Sequence, residues 1–142
     1  MRQPALVTQR GSISMEAVIV IPAFLLFLAL VVGVGRVSAV RGDLHAAAVN
    51  GARTASTQTT SVTGEQAGRK AIEAQLDREK VTCLHLDISL NTSALNLPPG
   101  QAGSVTATVT CVVPLADLAI PGLPGQTTIR SSFTTPIDTY SR

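Results

Sequence analysis

Ala17 to Val34 is a run of 18 residues without one charged or strongly polar side chain. A bilayer hydrocarbon core of about 30 Å asks for roughly 20 apolar residues in a helix. From Ile13 to Gly35 only Ser14 and Glu16 break the pattern. A chain with this segment is expected to be tied to a membrane or targeted through one. A short basic head carrying Arg2 and Arg10 and no acid precedes the run, and a lone carboxylate, Glu16, stands at its mouth. A buried acid costs a few kcal/mol at the centre of a membrane helix and much less at the interface. On composition alone, Glu16 could equally sit idle at headgroup level.

About 100 of the 142 residues remain beyond the run, enough for one modest core. That core has to be built from Ala, Val, Leu and Ile, because aromatics make up 3% of the chain and Trp is absent. Eleven basic and nine acidic residues give a net charge of +2, and no basic cluster is interleaved with aromatics. Nucleic acid is therefore not an expected partner. Arg2 and Arg10 on one side of the run face Arg36 and Arg41 on the other, offset only by Asp43, so flanking charge does not fix orientation. Cys83 and Cys111, both beyond the run, suit an oxidising compartment and place the C-terminal part outside the cytoplasm.

Residues 1–11 read as a polar, basic leader and 14–35 as a helix across the membrane, mildly kinked where Pro22 removes a backbone donor. The helix is expected to continue. Val37, Val40, Leu44, Ala48, Gly51 and Ala55 recur at helical spacing, with Arg41, Asp43, Asn50 and Arg53 off that stripe. From Ser14 to Ala55 such a helix would be about 63 Å long. Its small-sided stretch, Ala46-Ala47-Ala48 and Gly51-Ala52, invites close packing by some other element. Ser56 to Thr63 reads as a loop. Thr63 and Gln66 have capping-box spacing, which predicts a second helix over roughly Glu65–Lys80 with Ile72 and Leu76 inward.

The period then changes from 3.6 to 2. Leu84, Leu86, Ile88 and Leu90 alternate with His85, Asp87 and Ser89, as in a half-buried strand. Leu97-Pro98-Pro99-Gly100 is a turn signal. Val105, Ala107, Val109 and Cys111 alternate with threonines in a second strand. Pro114 to Gln126 reads as a structured loop, and Thr127 to Thr134 as a third strand with Ile129 and Phe133 on one face. The cysteines conflict with this alternation. Placing Cys83 opposite Cys111 in a hairpin makes paired numbers sum to 194, whereas the hydrophobic alternation asks for 193 or 195, which puts the two on opposite faces. A bulge, or a strand lying between the two, would reconcile a disulfide with the pattern. Two separate thiols are the alternative. A disulfide would close a loop of about 28 residues and contribute roughly 3 kcal/mol.

Gly11 precedes Glu16 by five residues, immediately before the apolar run. This resembles the processing site of type IV prepilins, cut after a glycine with glutamate at the fifth mature position. The resemblance extends to the TadE family, pilin-like membrane proteins of the tight-adherence (Flp) pilus machinery. It is carried by Arg10-Gly11-Ser12-Ile13-Ser14-Met15-Glu16-Ala17, Pro22, Gly35-Arg36, and Ala46-Ala47-Ala48 with Gly51-Ala52-Arg53. Val109-Thr110-Cys111, Leu115-Ala116-Asp117-Leu118, Pro121-Gly122-Leu123-Pro124-Gly125 and Pro136-Ile137-Asp138-Thr139-Tyr140 are similar to the actinobacterial branch. The resemblance implies cleavage between Gly11 and Ser12 by a prepilin peptidase. It also implies that Glu16 pairs with the freed amine of a neighbouring subunit, so that its charge is neutralised in the assembly. Major Flp pilins have tyrosine after the glutamate, whereas Ala17 stands here. With a C-terminal part of about 100 residues, the resemblance is to a minor, pseudopilin-type component.

Other chemistry is poorly supported. His45 and His85 lack Cys/His ligand spacing, and His85 is expected to face solvent on the polar side of its strand. Asp87 and Asp138 form no placeable carboxylate pair, and no nucleophile motif, phosphate loop or dinucleotide fingerprint is present. No catalytic residue, cofactor, metal or small-molecule substrate is expected. The expected fold is α+β and pilin-like: a long N-terminal transmembrane helix continuing into a domain with a second helix and a small antiparallel sheet of about three strands. The expected division is a leader at 1–11, a membrane segment at 12–38 and an extracytoplasmic domain at 39–142. The expected partners are the bilayer, other pilin-like subunits, the pilus assembly machinery and the prepilin peptidase. Two competing readings are an unprocessed single-pass protein with a binding or adhesion domain, and a secreted domain released after Val37-Ser38-Ala39. Against the second, 18 apolar residues are long for a signal sequence.

Overall fold

The computed structural model describes residues 12–98, 100–118 and 124–137, with side chains from Ala17 onward except 117 and 118. A 45-residue helix, α1 (Ser12–Ser56), leads into α2 (Ser61–Arg78), strand β1 (His85–Asn91), a 3-10 turn (Ser93–Asn96), β2 (Ser104–Pro114), a single helical turn α3 (Leu115–Leu118) and β3 (Gln126–Pro136). The architecture is α+β. The sheet is antiparallel in the order β1-β2-β3, with α1 and α2 packed on one face.

The first helix changes character along its length. Helical hydrogen bonding continues through Pro22, and from Val18 to Val34 nearly every side chain is exposed. The second half carries the stripe read from the sequence. Leu44, Ala48, Gly51 and Ala55 are buried, Val37 and Val40 are partly buried against the core, and Arg41 and Arg53 are exposed. The small-sided stretch has an occupant within the chain: α2 runs antiparallel across it. A Cβ on Gly68 would lie 2.9 Å from the Gly51 carbonyl oxygen and 2.6 Å from Leu90 Cδ2, and one on Gly64 would lie 2.5 Å from Leu95 Cδ1. Gly64 and Gly68, four residues apart on the buried side of α2, let the two backbones approach where any side chain would hold them apart. Ile72 and Leu76 continue that face, as expected.

α2 begins earlier than its capping-box spacing suggests. Its N-cap is Thr60, whose side chain accepts from the Thr63 N–H at 3.3 Å. Thr63 therefore serves as the capped position, and not as the cap. The 3-10 turn reinforces this end. Asn96 Oδ1 accepts from the Ser61 N–H at 3.1 Å, and the buried Thr92 hydroxyl donates to the Ser61 carbonyl at 3.0 Å. Ala94, Leu95, Val105 and Ile137 close a small second core around Ala55 here, at the end distant from the apolar half of α1.

β2, central in the sheet, alternates fully: Val105, Ala107, Val109, Cys111 and Val113 are buried, and the intervening threonines are half-exposed. β3 extends past the expected Thr127–Thr134 at both ends. Ile129 is buried and Phe133 half-buried on its inner face. On the open face the hydroxyls of Thr106 and Thr134 are 2.9 Å apart. The anticipated loop at Pro114–Gln126 opens with α3, and residues 119–123 lie outside the described residues.

β1 and β2 pair at neither of the two registers anticipated. Leu86 faces Cys111 and Ile88 faces Val109, so paired numbers sum to 197. The odd sum satisfies the alternation and moves the strands two to four residues along each other. No strand lies between them. Cys83 is bonded to Cys111 across a Cα–Cα distance of 5.4 Å because it stands just before β1. The chain bends at Leu84, whose N–H donates to the Val112 carbonyl at 2.8 Å. Free of the ladder, Cys83 is not bound to a face. Leu84 loses its strand position for the same reason and is 62% exposed.

The packing sets the sign of two glycine substitutions. A Cβ added at Gly42 would meet nothing within 4 Å, so Gly42→Ala should raise stability by about 0.5–1 kcal/mol. Gly68→Ala should lower it by about 1–3 kcal/mol, because the new methyl meets backbone. Chemical unfolding of the two variants in detergent reads the opposite signs. Loss of the disulfide in Cys83→Ala/Cys111→Ala should cost about 3 kcal/mol in the same assay, and added reductant should then leave the variant's midpoint unchanged.

Candidate functional site

The functionally suggestive region is the apolar half of α1 and the part of the body nearest to it. Ile19 is 73% exposed, Val18 68%, Leu26 67% and Leu30 65%. An 18-residue window of this helix is apolar enough to cross a membrane, and 6% of it is buried. The core helix of a water-soluble protein is mostly covered by its own fold, and this one is bare at nearly every position. Burying a single Leu or Val is worth about 1.5–3 kcal/mol, so a dozen such side chains cannot stand in water without a cover. The helix is therefore long and apolar enough for a single membrane span, and nothing in the described fold shields it.

Strand direction orders the body along α1. β2 descends from Val105, beside Ala55, to Pro114, while β1 and β3 ascend from His85 and Gln126. The base of the body, next to the apolar half of α1, is thus formed by the end of α2, the start of β1, the end of β2 and α3. A cleft of about 480 Å³ opens there, lined by Arg36, Val40, Asp43, Lys80, Val113 and Ala116 among others. A second, of about 450 Å³, lies between the end of α2 and the start of β1, with Asp77, Lys80, Thr82 and Leu86 on its walls.

Lys80 borders both clefts and has an unusual backbone. Its φ is 54°, the one positive value among described non-glycine residues. The cause is the way α2 ends. The Lys80 N–H donates to the Asp77 carbonyl at 3.2 Å, and the Val81 N–H donates to the Leu76 carbonyl at 3.1 Å. Val81 and Leu76 pack together in the core. This pair of bonds with its apolar contact is a Schellman termination, which puts the residue after the cap in the left-handed region and normally employs glycine there. Sequence reading treats Lys80 as the last residue of a helix and misses the role. The apolar Val81 following a charged pair was the available signal.

Gly11 lies outside the described residues. Ser12 and Glu16 belong to the first turns of α1. Cys83 and Cys111 form the disulfide, and Cys111 is fully buried. His45 Nδ1 is 3.2 Å from the Ser131 hydroxyl, and its ring meets Phe133 edge-on at 6.1 Å, so it ties α1 to β3. His85 is exposed. Among the described residues no group of three or more His, Cys, Asp or Glu side chains could hold a metal ion. Asp138 and Tyr140 lie outside the described residues.

Residues 11–53 match the family model described as TadE-like protein. The matched segment holds the apolar run and most of the stripe that packs against α2 and the sheet. No curated protein and no solved structure gives a significant match. TadE-like proteins are pilin-like, structural proteins associated with the Tad pilus. The apolar run and most of the packing stripe lie inside the matched segment, so the similarity to TadE-like proteins is carried by the first helix.

Proposed function

We propose that the protein is a minor, pseudopilin-type subunit of a tight-adherence pilus system, held in the membrane by residues 12–38. In this reading a prepilin peptidase cuts after Gly11, and residues 39–142 stand outside the cytoplasm. Glu16 then pairs with the freed amine at Ser12 of an adjacent subunit.

The observation that carries the reading is the continuity of α1. One helix is uncovered over Val18–Val34 and fully integrated into a folded body from Leu44 onward. Such an element can transmit the position of its membrane half to the body without a hinge, which suits a subunit that packs by its helix and presents a domain. The TadE-like match over the same helix supports it. The disulfide supports an extracytoplasmic body, since such bonds persist in oxidising compartments. A carboxylate inside an apolar stretch supports a partner supplied by assembly, since the charge is costly unless neutralised. A cut after Ala39 fits the structure poorly. It would sever α1 between Val37 and Val40, both packed against the core.

The N-terminus of the mature protein, read by mass spectrometry of material from its own host, should be Ser12. A mature chain starting at Met1 in cells with an active prepilin peptidase would refute processing and favour the unprocessed single-pass alternative, and a start at Val40 would favour the secreted one. Glu16→Ala should leave membrane insertion and cleavage intact and reduce assembly. Wild-type pilus counts in that mutant would remove the charge-pairing role.

A further inference from the structure

We infer that the base of the body is a second membrane contact: the cleft between α1 and the α2–β1 turn sits at headgroup level and takes the phosphate of an anionic phospholipid at Lys80. The inference rests on the anchored reading of α1 and adds to it a lipid class and a site.

Depth along α1 places the cleft. The apolar run ends at Gly35, and each further residue rises about 1.5 Å. The headgroup layer on each side of the hydrocarbon core is about 5–8 Å thick. Arg36, Ala39 and Val40, all on the cleft wall, therefore fall within that layer. The body is packed onto α1 from Val37 onward, so the end of α2, Val113 and Ala116 are held at the same height. Leu84, 62% exposed, and Leu86, 37% exposed, lie at this end, where apolar side chains meet lipid and not bulk water.

Charge is layered in the matching sense. On the α1 wall Arg36 is the charged group nearest the apolar run. Asp43 follows seven residues later, about 10 Å further from the core and beyond the headgroups. Glu79 also lines the cleft, but its Oε1 accepts from Gln75 Nε2 at 3.2 Å. Gln75 is one turn back along α2, so that carboxylate is engaged by its own helix. Lys80 makes no ion pair with any described residue.

The backbone of Lys80 is the second line of support. A left-handed C′ position favours glycine, and a side chain there is disfavoured. Such a cost is retained where the side chain has a use. Here the use is an ammonium at the mouth of a headgroup-deep cleft, where a basic residue gains attraction to anionic lipid.

The chain contains no Trp, so one introduced indole reports its own depth. The full chain carrying Thr82→Trp, reconstituted in phosphatidylcholine vesicles with or without phosphatidylglycerol, should be quenched by lipids brominated near the headgroup end of the acyl chain. Phosphatidylglycerol should raise that quenching by about twofold or more. Lys80→Gly in the same background should abolish the rise while keeping or raising the unfolding midpoint, because glycine relaxes the turn. Leu26→Trp is the control for the span, and lipids brominated near the methyl end should quench it in both vesicle types. Quenching at Leu26→Trp with none at Thr82→Trp would overturn the base contact and leave the anchored reading standing. No quenching at Leu26→Trp would overturn both. Equal quenching of Thr82→Trp in the two vesicle types, or a rise unaffected by Lys80→Gly, would overturn the assignment of Lys80 to lipid phosphate.

Discussion

The structure depends on one helix whose two halves have opposite surroundings in the fold. α1 has no break between Ser12 and Ser56, yet from Val18 to Val34 nearly every side chain is apolar and exposed, and its second half supplies the centre of a folded core. A helix entering lipid needs bulky apolar residues on every side. A helix crossed closely by a second helix and covered by a sheet needs small residues on one stripe. The change from Phe24-Leu25-Leu26-Phe27-Leu28 to Ala46-Ala47-Ala48 within one element meets both needs. Because the element is continuous, whatever fixes the apolar half in place also fixes the body built on the other half.

The close α1–α2 crossing follows from that small stripe and sets much of the remaining geometry. Gly51 and Gly68 bring the two helices near enough for Ile72 to fill the gap between them. α2 is thereby positioned for Arg69 Nη2 to donate to the Ile88 carbonyl of β1 at 3.0 Å, which supports one edge of the sheet. The disulfide acts at the same edge from below. It fastens the residue before β1 to the central strand, while the 3-10 turn fastens the other end of the hairpin to the start of α2.

What could be read from the residues divides along physical lines. Periodicity is set by burial, and burial is what α1, β2 and β3 chiefly satisfy, so their type, order and inward faces were legible. The start of α2 was not, because Thr57, Thr59, Thr60 and Thr63 are all of a type that caps helices and only the local backbone selects Thr60. The β1–β2 register was also illegible. Parity fixes only odd against even sums, and slippage by two residues leaves every side chain on the same face. The cysteine conflict arose from assuming that both lay in strands. One bend at Leu84 removes it. Of the candidate site, the apolar run was plain and the base was hidden, because Arg36, Lys80 and Val113 are distant in sequence and meet only through the fold.

Under the proposed lipid contact, the position of Lys80 bears on how such a body would be held above a bilayer. A single helix leaves a rigid attachment free to tilt, and tilt changes the height of every point away from the helix axis. A body that packs on one side of α1 has its base displaced from that axis, so tilting toward the base pushes Leu84 and the α2–β1 turn into lipid and tilting away lifts them clear. A basic residue held at the rim of the base by a left-handed turn resists both movements. Its charge opposes entry into hydrocarbon, and its attraction to headgroups opposes withdrawal. Two contacts, one along the helix and one beside it, define an orientation that the span alone would leave open.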